Sequence, residues 1–237
     1  MRSRERIMYK AVFIDWDNTL GDFSGSSNIA MESIYEKEHL ERFFRSYDEW
    51  REIYMPYNIQ LWELYGEGKI TKQQLSADRF NHPFVVKGYN NLQDFAIKIE
   101  EQFEQLTTEY TRLLPHAKEL LEYLAAKYPI TVVTNGFPEV QHTKFEMTGV
   151  NHLFTHKVIS EEVGVNKPDK RIFDIALRIN NIDATEAIMI GDHYNVDIIG
   201  AQNAGIDQIF LCNDTDEDNA LPATYHVHEL LEIRDIL

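Results

Sequence analysis

The run Asp15-Trp16-Asp17-Asn18-Thr19 follows directly on Ala11-Val12-Phe13-Ile14. Four β-branched, aromatic and small apolar residues in a row read as a short strand buried on both faces. Such a strand ends at the carboxyl edge of its sheet, where open α/β folds place their ligands. Two carboxylates separated by one residue at that edge repel each other unless a cation or a proton lies between them. The motif therefore asks for a metal ion and offers both a nucleophile and a proton donor. Asp and Asn also suit a solvated turn, so other segments must decide between the two readings.

Three further segments carry chemistry of the same kind. Thr134-Asn135-Gly136 precedes a helix expected over Pro138 to Thr148. A hydroxyl, an amide and a glycine at a helix amino terminus can cradle an anion, although Thr and Asn also serve as plain caps there. Lys167-Pro168-Asp169 also opens a helix. The proline keeps Lys167 extended, so its ammonium could meet a phosphate or hold a carboxylate ionised rather than join the surface. Gly191-Asp192-His193-Tyr194-Asn195-Val196-Asp197 supplies two more carboxylates behind a glycine. Hard oxygen donors without paired Cys and His suggest Mg²⁺ rather than zinc, and His193 reads as a hydrogen-bonding or solvent-facing side chain.

Each of these segments follows an apolar run. Ile130–Thr134, Lys157–Ile159, Ala187–Ile190, Gln208–Cys212 and a weaker Tyr225–Val227 join Ala11–Ile14 as strands. Helical patterns lie between most of them, over Pro115–Tyr128 and Pro168–Asn180, with apolar residues at three- and four-residue steps. The alternation implies an α/β fold with a Rossmann-like parallel sheet flanked by helices. Residues 22–112 break the rhythm: no strand is expected there. Met31 to Leu40, Glu49 to Tyr65 with an interruption at Pro56, and Leu92 to Leu113 read as helices. Gly66-Glu67-Gly68 and Asn81-His82-Pro83 read as turns between them. Such a stretch is too long for a loop, and it is expected to be an all-helical insert overhanging the carboxylate pair. Residues 1–21 and 113–237 then form the core domain. All four motifs fall at one edge of one sheet, and four surface accidents would not converge in that way.

The composition narrows the function classes. The 237 residues are 43% apolar and 26% charged, as in ordinary globular chains, with a net charge of −16. That charge argues against a nucleic-acid polymer as partner, while one small phosphorylated substrate stays compatible with a few local cations and a metal. The single cysteine, Cys212, sits in an apolar run and reads as a buried strand thiol. The basic start, Met1 to Arg6, has no apolar stretch behind it and no segment is long enough to span a bilayer, so a cytoplasmic location is expected. The acidic run Asn213 to Asp218 lacks the central glycine and closing glutamate of a calcium loop and reads as solvated. No protein partner is implied.

The ordered set Asp15-Trp16-Asp17-Asn18-Thr19, Thr134, Lys167 and Gly191-Asp192 with Asp197 resembles the haloacid dehalogenase-like hydrolase superfamily, and the insert resembles its helical cap. Thr134-Asn135-Gly136-Phe137, Gln141, the stretch Ile159 to Pro168, Trp62 and Gly68-Lys69-Ile70 are similar to a branch of pyrimidine 5′-nucleotidases. Asn18 stands where many relatives carry Gly. The resemblance implies that Asp15 is the nucleophile, forming an aspartyl-phosphate, and that Asp17 is the acid and base. It also implies that Asp15, the Asp17 backbone carbonyl and Asp192 bind Mg²⁺, with Asp197 behind them. Thr134, Asn135, Gly136 and Lys167 would hold the phosphate. The implied activity is phosphomonoester hydrolysis, with a nucleoside 5′-monophosphate as substrate. A sugar-phosphate phosphatase or phosphomutase shares these motifs. A phospho-accepting receiver module shares the acidic residues, Thr, Lys and Mg²⁺, but needs neither the insert nor an acid at Asp17.

Overall fold

The structure, a computed structural model, describes residues 9–212 and 220–237. The basic start Met1 to Arg6 and the acidic run Asn213 to Asp218 lie outside the described residues. The chain divides into two compact units, Met1–Asp22 with Arg112–Leu237, and Phe23–Thr111.

The first unit is built on a parallel sheet of β1 (Ala11–Ile14), β2 (Ile130–Thr134), β3 (His156–Ile159), β4 (Ala187–Gly191), β5 (Asp207–Leu211) and β6 (Tyr225–Val227). The order across the sheet is β3-β2-β1-β4-β5-β6. This is the Rossmann-like arrangement expected from the alternation of strands and helices. The order reverses between β1 and β4, so the switch point where open sheets bind ligands lies at the ends of those two strands. β1 is fully buried because successive side chains enter opposite cores. Val12 and Ile14 face one, and Ala11 and Phe13 the other.

The second unit consists of helices α1 (Phe23–Lys37), α2 (Tyr47–Gly66), α3 (Lys72–Arg79), α4 (Asn81–Val86) and α5 (Gln93–Glu109). Four features of these helices differ from the sequence expectation. α2 runs through Pro56 without a break. The proline costs one backbone bond, and the freed carbonyl belongs to exposed Glu52, while Trp50, Tyr54 and Leu61 hold the helix by burial. Asn81-His82-Pro83 opens α4 instead of forming a turn. Pro83 stands in the first helical turn, where amide hydrogens have no intrahelical acceptor. α1 stops at Lys37, before His39 takes a left-handed backbone with φ 54°. The helix expected to reach Leu113 ends at Glu109, because Leu113 pairs with Gly21 in an antiparallel bridge.

Unit one is completed by α6 (Ala117–Ala125), α7 (Pro138–Met147), α8 (Ser160–Val163), α9 (Lys170–Asn180) and α10 (Ile199–Asn203). Leu120, Leu121 and Leu124 of α6 and Phe145 of α7 cover the Val12 face of the sheet. Ile172, Phe173 and Ala176 of α9 and Ala201 of α10 cover the Phe13 face. Where the chain leaves and re-enters this unit, the Asp22 amide donates to the Arg112 carbonyl at 2.9 Å, and the Leu114 amide donates to the Leu20 carbonyl at 2.8 Å. Among the described residues, no helix is long and apolar enough to cross a membrane.

The core of unit two is aromatic, with Tyr54 stacked on Phe80 at a centroid distance of 4.6 Å. Inside it Arg79 and Glu100 form a two-pronged ion pair, both residues about 5% exposed or less. Burial alone would lower the Arg79 pKa, but the Glu100 charge outweighs it and holds the guanidinium protonated. Truncating one partner of such a pair leaves an uncompensated buried charge. Glu100→Ala should therefore cost about 3–5 kcal/mol, read as a lowered urea midpoint in tryptophan fluorescence. Loss of under 1 kcal/mol would show that water reaches the guanidinium.

Candidate active site

The loop after β1 is tied to β4. The Asp15 amide donates to the Ile190 carbonyl at 2.9 Å, which carries the sheet ladder one residue beyond the strand. Trp16 turns inward, fully buried, with its ring edge-on to Phe145 at 4.7 Å. Its carbonyl accepts from the amides of Leu20 and Gly21, both at 2.9 Å, closing the loop. Asn18 has φ 61°, a left-handed conformation that Asn tolerates and glycine adopts freely. The Thr19 hydroxyl donates to Asp192 Oδ1 at 2.8 Å and so joins the end of β1 to the end of β4.

Lys167 lies 2% exposed between two carboxylates. Its Nζ donates to Asp15 Oδ1 and to Asp197 Oδ1, each at 2.6 Å. The Asn135 side chain fixes the lysine backbone from both sides. Its Oδ1 accepts from the Lys167 amide and its Nδ2 donates to the Lys167 carbonyl, both at 2.8 Å. The amide expected to meet an anion is thus engaged with the main chain of Lys167. Asp197 comes from a π-helical turn, Tyr194–Ile198, and its Oδ2 accepts from the His193 amide at 3.0 Å. A Cβ on Gly191 would sit 2.4 Å from the Cβ of Asp197, so only glycine admits that carboxylate.

The electrostatics of the cluster point to a cation. Burial raises the pKa of Asp15 well above the carboxylate range; the Lys167 charge opposes this, and Asp197 and Asp192 add to it. Burial and the Asp197 charge push Asp192 up to about 7, against the Thr19 hydrogen bond. Lys167 is desolvated too, yet the two carboxylates hold its pKa above the ordinary value. Asp15, Asp192 and Asp197 each offer an oxygen, all within 4.8 Å of one another. A divalent cation against Asp15 and Asp192 would offset both the burial and the repulsion that raise them, and an all-oxygen donor set fits Mg²⁺. Both oxygens of Asp197 already accept hydrogen bonds, which suits it to a supporting place.

The Thr134 hydroxyl accepts from the Gly136 amide at 3.1 Å and from Gln141 Nε2 at 3.0 Å. With two bonds accepted, its own proton is left to be donated. The Gly136 amide, expected to help cradle an anion, is turned back onto Thr134. Gln141 Nε2 also donates to Asp17 Oδ2 at 2.7 Å, and Lys144 Nζ donates to Asp17 Oδ1 at 2.9 Å. A Cβ on Gly136 would lie 1.9 Å from Gln141 Nε2, so this glycine makes room for that amide.

A model of the haloacid dehalogenase-like hydrolase family matches residues 9–205. The chain is a haloacid dehalogenase-like hydrolase. It is 33% identical to "Pyrimidine 5′-nucleotidase YjjG" of Escherichia coli (strain K12) over 95% of this chain and 96% of that protein. It is 28% identical to "Pyrimidine 5′-nucleotidase PynA" of Streptococcus pneumoniae (strain ATCC BAA-255 / R6), over 98% and 96% of the two chains. A magnesium-bound crystal structure of the HAD-hydrolase YfnB from Bacillus subtilis superposes with a TM-score of 0.85 at 26% identity, covering 97% of this chain and 99% of that one.

The sequence reading of this hydrolase did not assign a role to Lys144 or Gln141. Burial in the folded chain is what marks them. On α7, Met147 is 54% exposed while Lys144 and Gln141 are buried, the reverse of an ordinary amphipathic helix. Outside the site, Cys212 is buried with its Sγ 3.7 Å from His228 Nδ1. For the hydrolase as a whole, Mg²⁺ at about a hundred times its Kd should add about 2.7 kcal/mol of stability. That corresponds to a rise in Tm of roughly 5–10 °C for a chain of this length. The rise should vanish in Asp192→Asn; an equal shift in that variant would move the metal elsewhere.

Proposed function

We propose that this hydrolase is a Mg²⁺-dependent phosphomonoesterase acting through an aspartyl-phosphate on Asp15, with pyrimidine nucleoside 5′-monophosphates as substrates. The observation that carries the reading is the different setting of two aspartates two residues apart. Asp15 is tied to Lys167 beside Asp192, whereas Asp17 is tied to Lys144 and Gln141. One is suited to attack, the other to proton transfer. The nucleotidase relatives, similar along nearly the whole chain, support the substrate class.

Lys167 holds Asp15 Oδ1 and so aims the carboxylate, which needs orientation more than activation as a nucleophile. An Asp15 oxygen forms a bond to phosphorus while the bond from phosphorus to the leaving oxygen breaks. Asp17 gives that oxygen a proton, then takes one from the water that opens the aspartyl-phosphate. The Thr134 hydroxyl and the Lys167 ammonium meet the phosphoryl oxygens. Asp15, Asp192 and the Asp17 main-chain carbonyl would hold Mg²⁺, which supplies positive charge against the phosphate when bound.

Two measurements test this. Asp15→Asn should reduce Mg²⁺-dependent phosphate release from p-nitrophenyl phosphate to near background while the far-ultraviolet circular dichroism is unchanged; retained activity would remove Asp15 from its role. A panel of nucleoside and sugar monophosphates should give the highest kcat/KM on pyrimidine nucleotides. Preference for sugar phosphates, or transfer to a second sugar hydroxyl, would overturn the substrate assignment.

A further inference from the structure

We infer that Lys144, with Gln141 one helical turn before it, is the positioning residue for Asp17 and fixes where its carboxyl group stands in the site. This rests on the reading of Asp17 as the acid of the phosphatase reaction.

The argument starts from the cost of the arrangement. Lysine is seldom buried, because its ammonium loses its hydration and its stem loses rotamer freedom. Lys144 is nevertheless 4% exposed and Gln141 fully buried, while Met147 on the same helix faces solvent. A helix serving only to cover the sheet would bury the methionine and expose the lysine. Phe145 alone supplies the apolar anchor of this stretch, against Trp16 and Phe154. Both polar side chains instead meet one carboxylate. Lys144 Nζ meets Asp17 Oδ1 at 2.9 Å and Gln141 Nε2 meets Asp17 Oδ2 at 2.7 Å, so each oxygen has its own donor.

The second link of Gln141 gives the geometry its meaning. The same Nε2 donates to the Thr134 hydroxyl at 3.0 Å. Asp17 is thereby placed relative to the group proposed to hold the phosphate, and not merely pinned to a surface helix. When the carboxylic acid of Asp17 donates, the leaving oxygen gains the proton, the phosphorus–oxygen bond breaks, and Asp17 becomes an anion. Lys144 and Gln141 each hold one oxygen of this side chain, so its position relative to the leaving oxygen is fixed by two contacts. In the second half-reaction the carboxylate takes a proton from water, so each turnover returns Asp17 to its starting state.

Positioning of this kind matters only where the leaving group needs a proton. p-Nitrophenolate departs without one, whereas phenolate is more basic and depends on the acid. Since kcat/KM reports steps up to formation of the phosphoenzyme, the two substrates separate the acid from everything else. Lys144→Met should lower kcat/KM on phenyl phosphate roughly ten- to a hundredfold, within the range of general acid catalysis. On p-nitrophenyl phosphate the change in kcat/KM should stay within about threefold, because proton donation is not limiting there. Lys144→Arg should restore most of the loss. Asp17→Asn should show the same asymmetry, and adding Lys144→Met to it should deepen the asymmetry no further.

Equal losses on both substrates, no loss, or a gain in Lys144→Met would overturn the assignment, as would an asymmetry that persists on the Asp17→Asn background. The controls keep the two levels apart. If Asp17→Asn lacks the asymmetry, the acid role itself fails; if Asp17→Asn has it and Lys144→Met does not, the positioning role alone fails. Methionine is close to lysine in length and apolar, so it can fill the same space without leaving a cavity.

Discussion

One ammonium group between two buried carboxylates is the contact on which the core unit is organised. Lys167 Nζ lies 2.6 Å from Asp15 Oδ1 and 2.6 Å from Asp197 Oδ1, all three groups nearly excluded from water. A charge in such a place is tolerable only if its partners are present and correctly aimed. Most of the local peculiarities of the chain serve that aim. Asn135 spends both ends of its amide on the lysine backbone, Gly191 gives up a side chain to admit Asp197, and a π-helical turn delivers Asp197 from β4. Each feature would be a small penalty by itself. Together they hold an ion cluster whose positive charge does not balance its negative charge.

That imbalance is what makes the cluster more than structural. Three aspartates gather around one lysine, so Asp15 and Asp192 are pushed toward protonation by burial and by the charge of Asp197. Buried ion pairs are weak contributors to stability, because desolvation offsets much of their attraction. The fold sustains the cost because the sheet supplies it with a switch point. Between β1 and β4 the order of strands reverses, and carboxylates leaving the two strand ends are brought together without any long loop. The cores on both faces, Val12 and Ile14 on one side and Ala11 and Phe13 on the other, make β1 rigid enough to bear the load.

The sheet was legible because buried strands of β-branched residues carry a pattern that little else produces. Ala11–Ile14, Ile130–Thr134 and Tyr225–Val227 have the expected bounds, and the others differ by a residue. The core motifs were legible because each is short and sits at a strand end. Helical boundaries were not, since proline and asparagine punctuate a chain only when tertiary burial does not overrule them, as it does at Pro56 and Asn81. Lys144 was missed for a related reason. A lysine in a helix is read as a solvated face, and the inversion of α7 becomes visible only once Met147 is seen to be outside. The use of Asn135 was equally hidden, because an amide at a strand end says nothing about which backbone it will meet.

The pair at the start of the chain shows why type and spacing were insufficient. Asp15 and Asp17 are the same residue, and alternation along an extended segment would point both side chains the same way. The loop prevents them from sharing an environment. Trp16 anchors the backbone between them in the apolar core, and the left-handed Asn18 turns the chain immediately after. Asp15 falls to the Lys167 cluster and Asp17 to α7, so one carboxylate is surrounded by other acids and the other by donors. Two chemically identical groups gain different settings from what each is bonded to. Asp15 has Lys167 on one oxygen and other acids beside it, whereas Asp17 has a separate donor on each oxygen.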